Sequence, residues 1–254
     1  MKFKKVLAMG LAAALCITSL VGCSSNNASS NSSSSSSQES VSKREERKKN
    51  NERIVAIGEE PEAGFDATTG GHGSITRVFF STLFKRDKKL GFENDLATGY
   101  KVSDDKLTWT VTIRDDAKFT DGEKVTAQDV AFTYQTAKES GSEIDLTMID
   151  KITAKDDTTI EFKLNRTYSA FMERLAYLGI VPEHAYDENF KDNPIGSGPY
   201  EFVQWDKGQQ VIAKANENYY GDKPQIKQLT MVFIHKRPWS LPVWPSAPYL
   251  HCKN

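Results

Sequence analysis

The stretch Pro194 to Tyr220, PIGSGPYEFVQWDKGQQVIAKANENYY, constrains the fold most. Gly196-Ser197-Gly198-Pro199 places two glycines around one small residue, and Pro199 fixes the exit, so the backbone can turn sharply here. Tyr200, Phe202 and Trp205 then form a strand-like aromatic run. Asp206-Lys207-Gly208 is a turn, and Val211-Ile212 begins a return strand. The polar segment Asn216 to Asp222 carries Tyr219-Tyr220 as an aromatic anchor. The stretch predicts a β-hairpin behind a tight glycine turn.

Upstream, Leu107, Trp109, Val111 and Ile113 alternate with Thr108, Thr110, Thr112 and Arg114. That period of two predicts a half-buried strand. Thr126 with Asp129 predicts a capping box, and the helix it opens runs to about Glu139, where Gly141 stops it. Ile152 to Ala154 and Thr159 to Leu164 predict a hairpin across Asp156-Asp157, with Ile160, Phe162 and Leu164 on one face. Ser169 opens a helix over Ala170 to Leu178, and Val181-Pro182 leads into a short helix near His184. Nearer the start, Ile54 to Ile57 reads as a short buried strand and Glu59 to Gly73 as a loop. Ser74 caps a helix over Ile75 to Lys85, with Val78, Phe79, Phe80 and Leu83 inward. Lys88-Lys89-Leu90-Gly91 is a hairpin turn, and Gln225 to Ile234 a buried strand.

Chemistry-bearing patterns are sparse. The acid pairs Asp104-Asp105, Asp115-Asp116 and Asp156-Asp157 sit in turns, where neighbouring carboxylates point apart into solvent. Gly196-Ser197-Gly198 matches neither a nucleophile elbow nor a dinucleotide fingerprint, since position 201 is Glu. The histidines at 72, 184, 235 and 251 form no helical pair for a metal. These patterns give no support to an enzyme, and no cofactor is expected. The aromatics Trp109, Phe119, Phe132, Tyr134, Phe162 and Phe171 have core-like spacing, so packing is their expected role. With 33 Lys and Arg against 34 Asp and Glu, no basic patch stands out, which argues against a nucleic-acid partner.

Residues 1–22 read as a targeting segment. Lys2, Lys4 and Lys5 precede an apolar run from Val6 to Val21, too short and wrongly flanked for a membrane helix. Leu20-Val21-Gly22-Cys23 resembles the bacterial lipobox, in which Cys23 is lipidated and becomes the mature N-terminus. A plain secretory peptide that carries a cysteine is the other reading. On the lipobox reading Cys16 leaves with the signal, Cys23 is acylated and Cys252 has no partner, so no disulfide forms within the mature monomer. Residues 23–53 are rich in Ser and Asn, then in mixed charge. They cannot bury apolar surface and predict a disordered tether of about 30 residues spanning about 30 Å.

Two separated motifs carry a resemblance. One is Gly196-Ser197-Gly198-Pro199-Tyr200, the Trp205 hairpin, and then Asn216 with Tyr219-Tyr220-Gly221 and Lys223-Pro224. The other is Asn94-Asp95-Leu96-Ala97, Leu107 to Val111, Ile113 to Gly122 and Thr126 to Val130. In that order they resemble the extracellular solute-binding proteins of the peptide/nickel class, family 5, over about Ile54 to Ile234. These are receptors of ABC importers. The resemblance implies an α/β, periplasmic-binding-protein-like fold of type II with an extra inserted domain. It implies a first lobe built from residues 54–94 and 194–234, with residues 95–193 inserted. The opposing lobe would be missing, since family members are roughly twice this length.

The resemblance also implies a ligand site and partners. The loop holding Thr69, Gly70, Gly71, His72 and Gly73 would face the ligand cleft, together with Gly196, Ser197 and Gly198; a surface role for the His72 side chain stays open. The ligand would be a peptide, or a nickel chelate as the alternative. The partners would be an ABC permease and the membrane, through a lipid anchor on the outer face of the cytoplasmic membrane. A surface lipoprotein that signals or scaffolds without transport is the reading from another class. Residues 235–254 depart from the family: they hold four of the nine prolines and two of the four tryptophans, with no acid and no glycine. That predicts out-of-frame sequence or a Pro-rich extension, with neither helix nor central strand.

Overall fold

Ten strands and three short helices are spelled out by a computed structural model that describes residues 51–61, 63–69 and 73–234. The targeting segment, Cys23, nearly all of the tether and the tail 235–254 lie outside the described residues.

The hairpin after the glycine turn seeds the first sheet. β8 (Tyr200–Asp206) pairs antiparallel with β9 (Gln210–Ala215), which pairs antiparallel with β10 (Gln228–Phe233). Gly208 turns the hairpin at φ +77°, a conformation open to glycine at no steric cost. β1 (Glu52–Ile57) joins β10 in parallel, with Glu52 beside Gln228 and Ile57 beside Phe233, so the order is β1-β10-β9-β8. Period-two burial sends Val211, Ala213, Met231 and Phe233 to one face, where they meet Phe65, Phe79, Phe80, Val181 and Phe190.

Two expectations fail at β1. The strand begins inside the segment read as tether. It is also an exposed edge, with Ile54 49% and Val55 43% accessible. A four-residue apolar run reads as buried only when neighbours cover both faces. β1 has a strand on one side only.

The second sheet is antiparallel throughout, in the order β4-β5-β7-β6. Its strands are β4 (Ala97–Val102), β5 (Thr108–Ile113), β6 (Ile149–Ala154) and β7 (Thr159–Leu164). Val111, Ile113, Ile160, Phe162 and Leu164 form its core face against Val130, Tyr134 and Ala137 of a covering helix. Phe119, Tyr134, Phe162 and Phe171 are fully buried, and Trp109 and Phe132 pack partly buried at the margins.

That helix, Ala127–Glu139, starts at the expected capping box. Thr126 Oγ1 accepts the Asp129 amide, and Asp129 Oδ2 accepts the Thr126 amide at 2.9 Å. Asp129 Oδ1 also accepts the Glu183 amide at 3.0 Å, so one buried carboxylate caps a helix and anchors a distant segment. Thr126→Ala is expected to cost about 1 kcal/mol. Asp129→Ala should cost more, about 2 kcal/mol, because it also strands the Glu183 donor. Urea denaturation of both variants measures the ranking.

Numbered in chain order, the helices are α1 (Gly73–Phe79), α2 (Ala127–Glu139) and α3 (Phe171–Leu175). α1 stops at Phe79 instead of reaching Lys85, and Phe84–Arg86 is β2, paired with β3 (Phe92–Asn94) around the Lys88–Gly91 turn. The cause is tertiary: the Phe79 carbonyl accepts the Gly198 amide at 2.8 Å, and the Ser81 hydroxyl donates to the Ser197 carbonyl at 2.9 Å. α3 is also shorter than the predicted Ala170 to Leu178. Its N-cap is Ala170 and has no side-chain cap, and Leu178 and Ile180 leave the helix to enter the core.

Candidate functional site

The glycine turn is a buried joint. An added Cβ on Gly196 would lie 2.0 Å from the Phe79 carbonyl oxygen, and one on Gly198 would lie 2.6 Å from the Phe79 carbonyl carbon. Glycine is required here for close approach of two backbones. The Gly196 carbonyl accepts the Thr120 amide at 2.9 Å, and the Gly198 carbonyl accepts the Asn216 side-chain amide at 2.9 Å. Ser197 between them is fully buried, and its hydroxyl has no partner among the described residues. The turn thereby stitches α1, the segment before α2 and the Asn216 turn together.

The loop that leads into the other expected site segment, Thr69 to Gly73, turns at Asp66. Asp66 Oδ1 accepts the Thr68 amide and hydroxyl, both at 2.8 Å, and shapes a 3-10 turn over Ala67–Thr69. Glu60 secures the chain upstream: its Oε1 accepts the Trp205 indole N–H and the Gly208 amide, each at 2.7 Å. Gly70, Gly71 and His72 lie outside the described residues. Gly73 opens α1, whereas Gly196 to Gly198 meet its C-terminal end. A helix of seven residues spans about 10 Å at 1.5 Å per residue, and that separates Gly73 from the glycine turn.

Other polar groups serve the fold. The carboxyls of Asp105 and Asp156 are held below the usual range by turn hydrogen bonds, from the Ser103 hydroxyl and the Thr158 amide respectively. Arg114 does the same for Asp116. Such groups stay ionised and are poor proton donors at neutral pH. His184 Nε2 lies 2.8 Å from Asp121 Oδ2. Among the described residues, no group of three His, Cys, Asp or Glu is placed to hold a metal, and no helix is long and apolar enough to cross a membrane. A groove of about 780 Å³ lies on the second sheet, between Tyr100, Trp109 and Tyr168. It includes none of the expected site residues.

Sequence reasoning passed over Asp66 and Tyr186. Asp66 had a local signal, an Asp two residues before a Thr, which favours an Asx turn. Tyr186 had none: its phenol donates to Asp66 Oδ2 at 2.7 Å from far along the chain.

Residues 91–239 match the family described as bacterial extracellular solute-binding proteins, family 5 Middle. The match covers more than half of the chain, and the chain belongs to this family. Protein XP55 of Streptomyces lividans is 34% identical over 189 residues, which are 70% of this chain and 34% of that protein. The oligopeptide-binding protein AppA of Bacillus subtilis is 33% identical over 186 residues, 66% of this chain and 33% of AppA. Among solved structures, NikZ from Campylobacter jejuni in complex with Ni(L-His) superposes at a TM-score of 0.69 with 31% identity, over 73% of this chain and 39% of NikZ. AppA in complex with a nonapeptide gives 0.66 and 29%, over 72% of this chain and 40% of AppA. The fold is thus α/β and periplasmic-binding-protein-like, and the chain spans about a third of the length of the curated relatives it matches.

Proposed function

We propose that this chain is the solute-capturing part of an ABC-importer receptor, with peptides as the first ligand class. The observation that carries the reading is the family match over residues 91–239, joined to a 33% identical relative named as an oligopeptide-binding protein. The work is enclosure of a ligand and delivery to a membrane permease, without bond chemistry. A nickel chelate is the second reading, favoured by the likeness to NikZ, whose structure holds Ni(L-His). In that case the chelate would bring ligands to its own metal.

The reading places residues 54–94 and 194–234 in one lobe and residues 95–193 in an inserted domain. In support, β1 and β8 to β10 build the first sheet, and β4 to β7 build the second. It sets Gly196, Ser197 and Gly198 as the joint beneath the cleft wall and the segment from Thr69 to Gly73 as the wall itself. It also places the protein outside the cytoplasm, anchored through Cys23.

Isothermal titration of residues 51–254, which keep the whole of β1, against a peptide mixture and against Ni(L-His) tests the ligand. Binding of the peptides supports the first reading and binding of the chelate the second; binding of neither removes both for this chain. Mass spectrometry of the mature N-terminus tests the anchor. A diacylglyceryl-modified Cys23 with residues 1–22 removed is the expected result, and an unmodified Cys23 refutes it.

A further inference from the structure

The Asp66–Thr69 turn is held by a residue that neither expected site loop contains. Asp66 is 8% accessible. Its Oδ1 takes both Thr68 donors, and its Oδ2 takes the Tyr186 phenol at 2.7 Å. Thr68 Oγ1 and the Tyr186 oxygen lie 2.9 Å apart, so two side chains in mutual contact close around one carboxylate. Tyr186 follows the 3-10 turn Glu183–Ala185, and its ring is flanked by Phe132 at 5.2 Å and Phe190 at 5.0 Å. Burial, with the Asp66 carboxylate adding to it, pushes the phenol up to about 12, so it remains a donor at neutral pH. Two further bonds tie the turn to the end of α2: Ser140 Oγ to the Thr68 carbonyl at 3.4 Å, and the Glu143 amide to the Thr69 carbonyl at 3.5 Å.

We propose that Tyr186 is a positioning residue: acting through Asp66, it fixes the backbone of residues 66–69, the turn that ends where the ligand-wall segment begins at Thr69. The purpose of this clasp rests on the receptor reading, whereas its geometry does not. A loop that must be ordered when ligand arrives lowers affinity by the entropy of ordering it. A carboxylate held from two sides removes that cost beforehand. Without the phenol, Asp66 keeps its Thr68 donors but is free to swing about its own side-chain bonds.

Tyr186→Phe keeps the ring packing and deletes only the hydroxyl; Thr68→Val deletes the second hydroxyl of the clasp. Native-state hydrogen exchange on the full chain reads the Thr68 and Thr69 amides directly. Both variants should exchange these amides about tenfold faster while the amides of β7 and β9 keep their rates. Unchanged Thr68 and Thr69 amides, or equal acceleration across β7 and β9, would overturn the clasp. Dissociation of the tetrapeptide tetraalanine, followed on the same proteins, should be faster in Tyr186→Phe with the urea midpoint little moved. Equal dissociation rates would overturn the positioning role. If the unsubstituted chain does not bind tetraalanine while the variant amides still accelerate, the peptide reading fails and the clasp stands.

Discussion

Gly196→Ala is expected to leave the chain unable to reach its native packing. The added methyl would sit 2.0 Å from the Phe79 carbonyl oxygen and 2.8 Å from its carbon. Both are backbone atoms at the end of α1, so no side-chain rotation relieves the overlap. Moving the turn away would break the Thr120–Gly196 and Gly198–Phe79 backbone bonds, at 2.9 and 2.8 Å. A loss above about 4 kcal/mol is a large share of the 5–15 kcal/mol that holds a typical domain together. Gly198→Val should behave alike, because its Cβ meets Phe79 and the Phe80 nitrogen at 2.6 to 2.8 Å. Gly58→Ala is the control, with nothing within 4 Å of the new methyl. Near-ultraviolet circular dichroism and urea denaturation measure all three. A Gly196→Ala protein within about 1 kcal/mol of the parent would refute the close-approach argument.

Asp95→Ala is expected to be the most damaging change at a polar side chain between the sheets, at about 3 kcal/mol. Asp95 Oδ1 accepts the Tyr220 phenol at 2.7 Å and Oδ2 accepts the Thr82 amide at 3.1 Å, while the Thr82 hydroxyl donates to the Phe84 carbonyl at 2.6 Å. These donors come from the turn after β9 and from the link between α1 and β2, while Asp95 itself leads into β4. Burial, then the Asp95 charge, pushes the Tyr220 phenol well above its ordinary range, so it stays a donor. Removing the carboxylate strands donors whose desolvation is then unrepaid. Tyr220→Phe removes one bond and keeps the ring beneath Arg114, whose guanidinium lies 4.1 Å from the ring centre. It should cost about 1 kcal/mol. The adjoining Arg114–Asp116 pair is solvent-exposed and should contribute little. Equal midpoints for Asp95→Ala and Tyr220→Phe in urea would contradict this order.

Local patterns in the chain announced the elements whose causes are local. The alternation from Leu107 to Ile113 became β5, Thr126 with Asp129 became a cap, and Asp206-Lys207-Gly208 became a hairpin turn. The end of α1 was illegible because its stop signal is the glycine turn at residues 196–198, far away in sequence. The exposure of β1 was illegible because an apolar run records hydrophobicity and not the number of neighbouring strands. Of the expected site, Gly73 and the glycine turn could be named from their motifs, but their placement at opposite ends of α1 depends on how long that helix is. Tyr186 could not be named at all: a single tyrosine carries no periodicity, and its meaning comes from Asp66.

The parallel pairing of β1 with β10 sets an order of events for a chain made from its N-terminus. The backbone partners of β1 lie in residues 228–234, so β1 has no place to dock until almost the whole described chain has emerged. The second sheet and α2 draw only on residues 97–164 and can close earlier, through contacts short in sequence. High contact order is therefore concentrated in the first sheet, and its edge is the last to be satisfied. Between those moments Ile54 to Ile57 travel as an unpaired apolar strand, the kind of segment that associates wrongly when many chains fold at once.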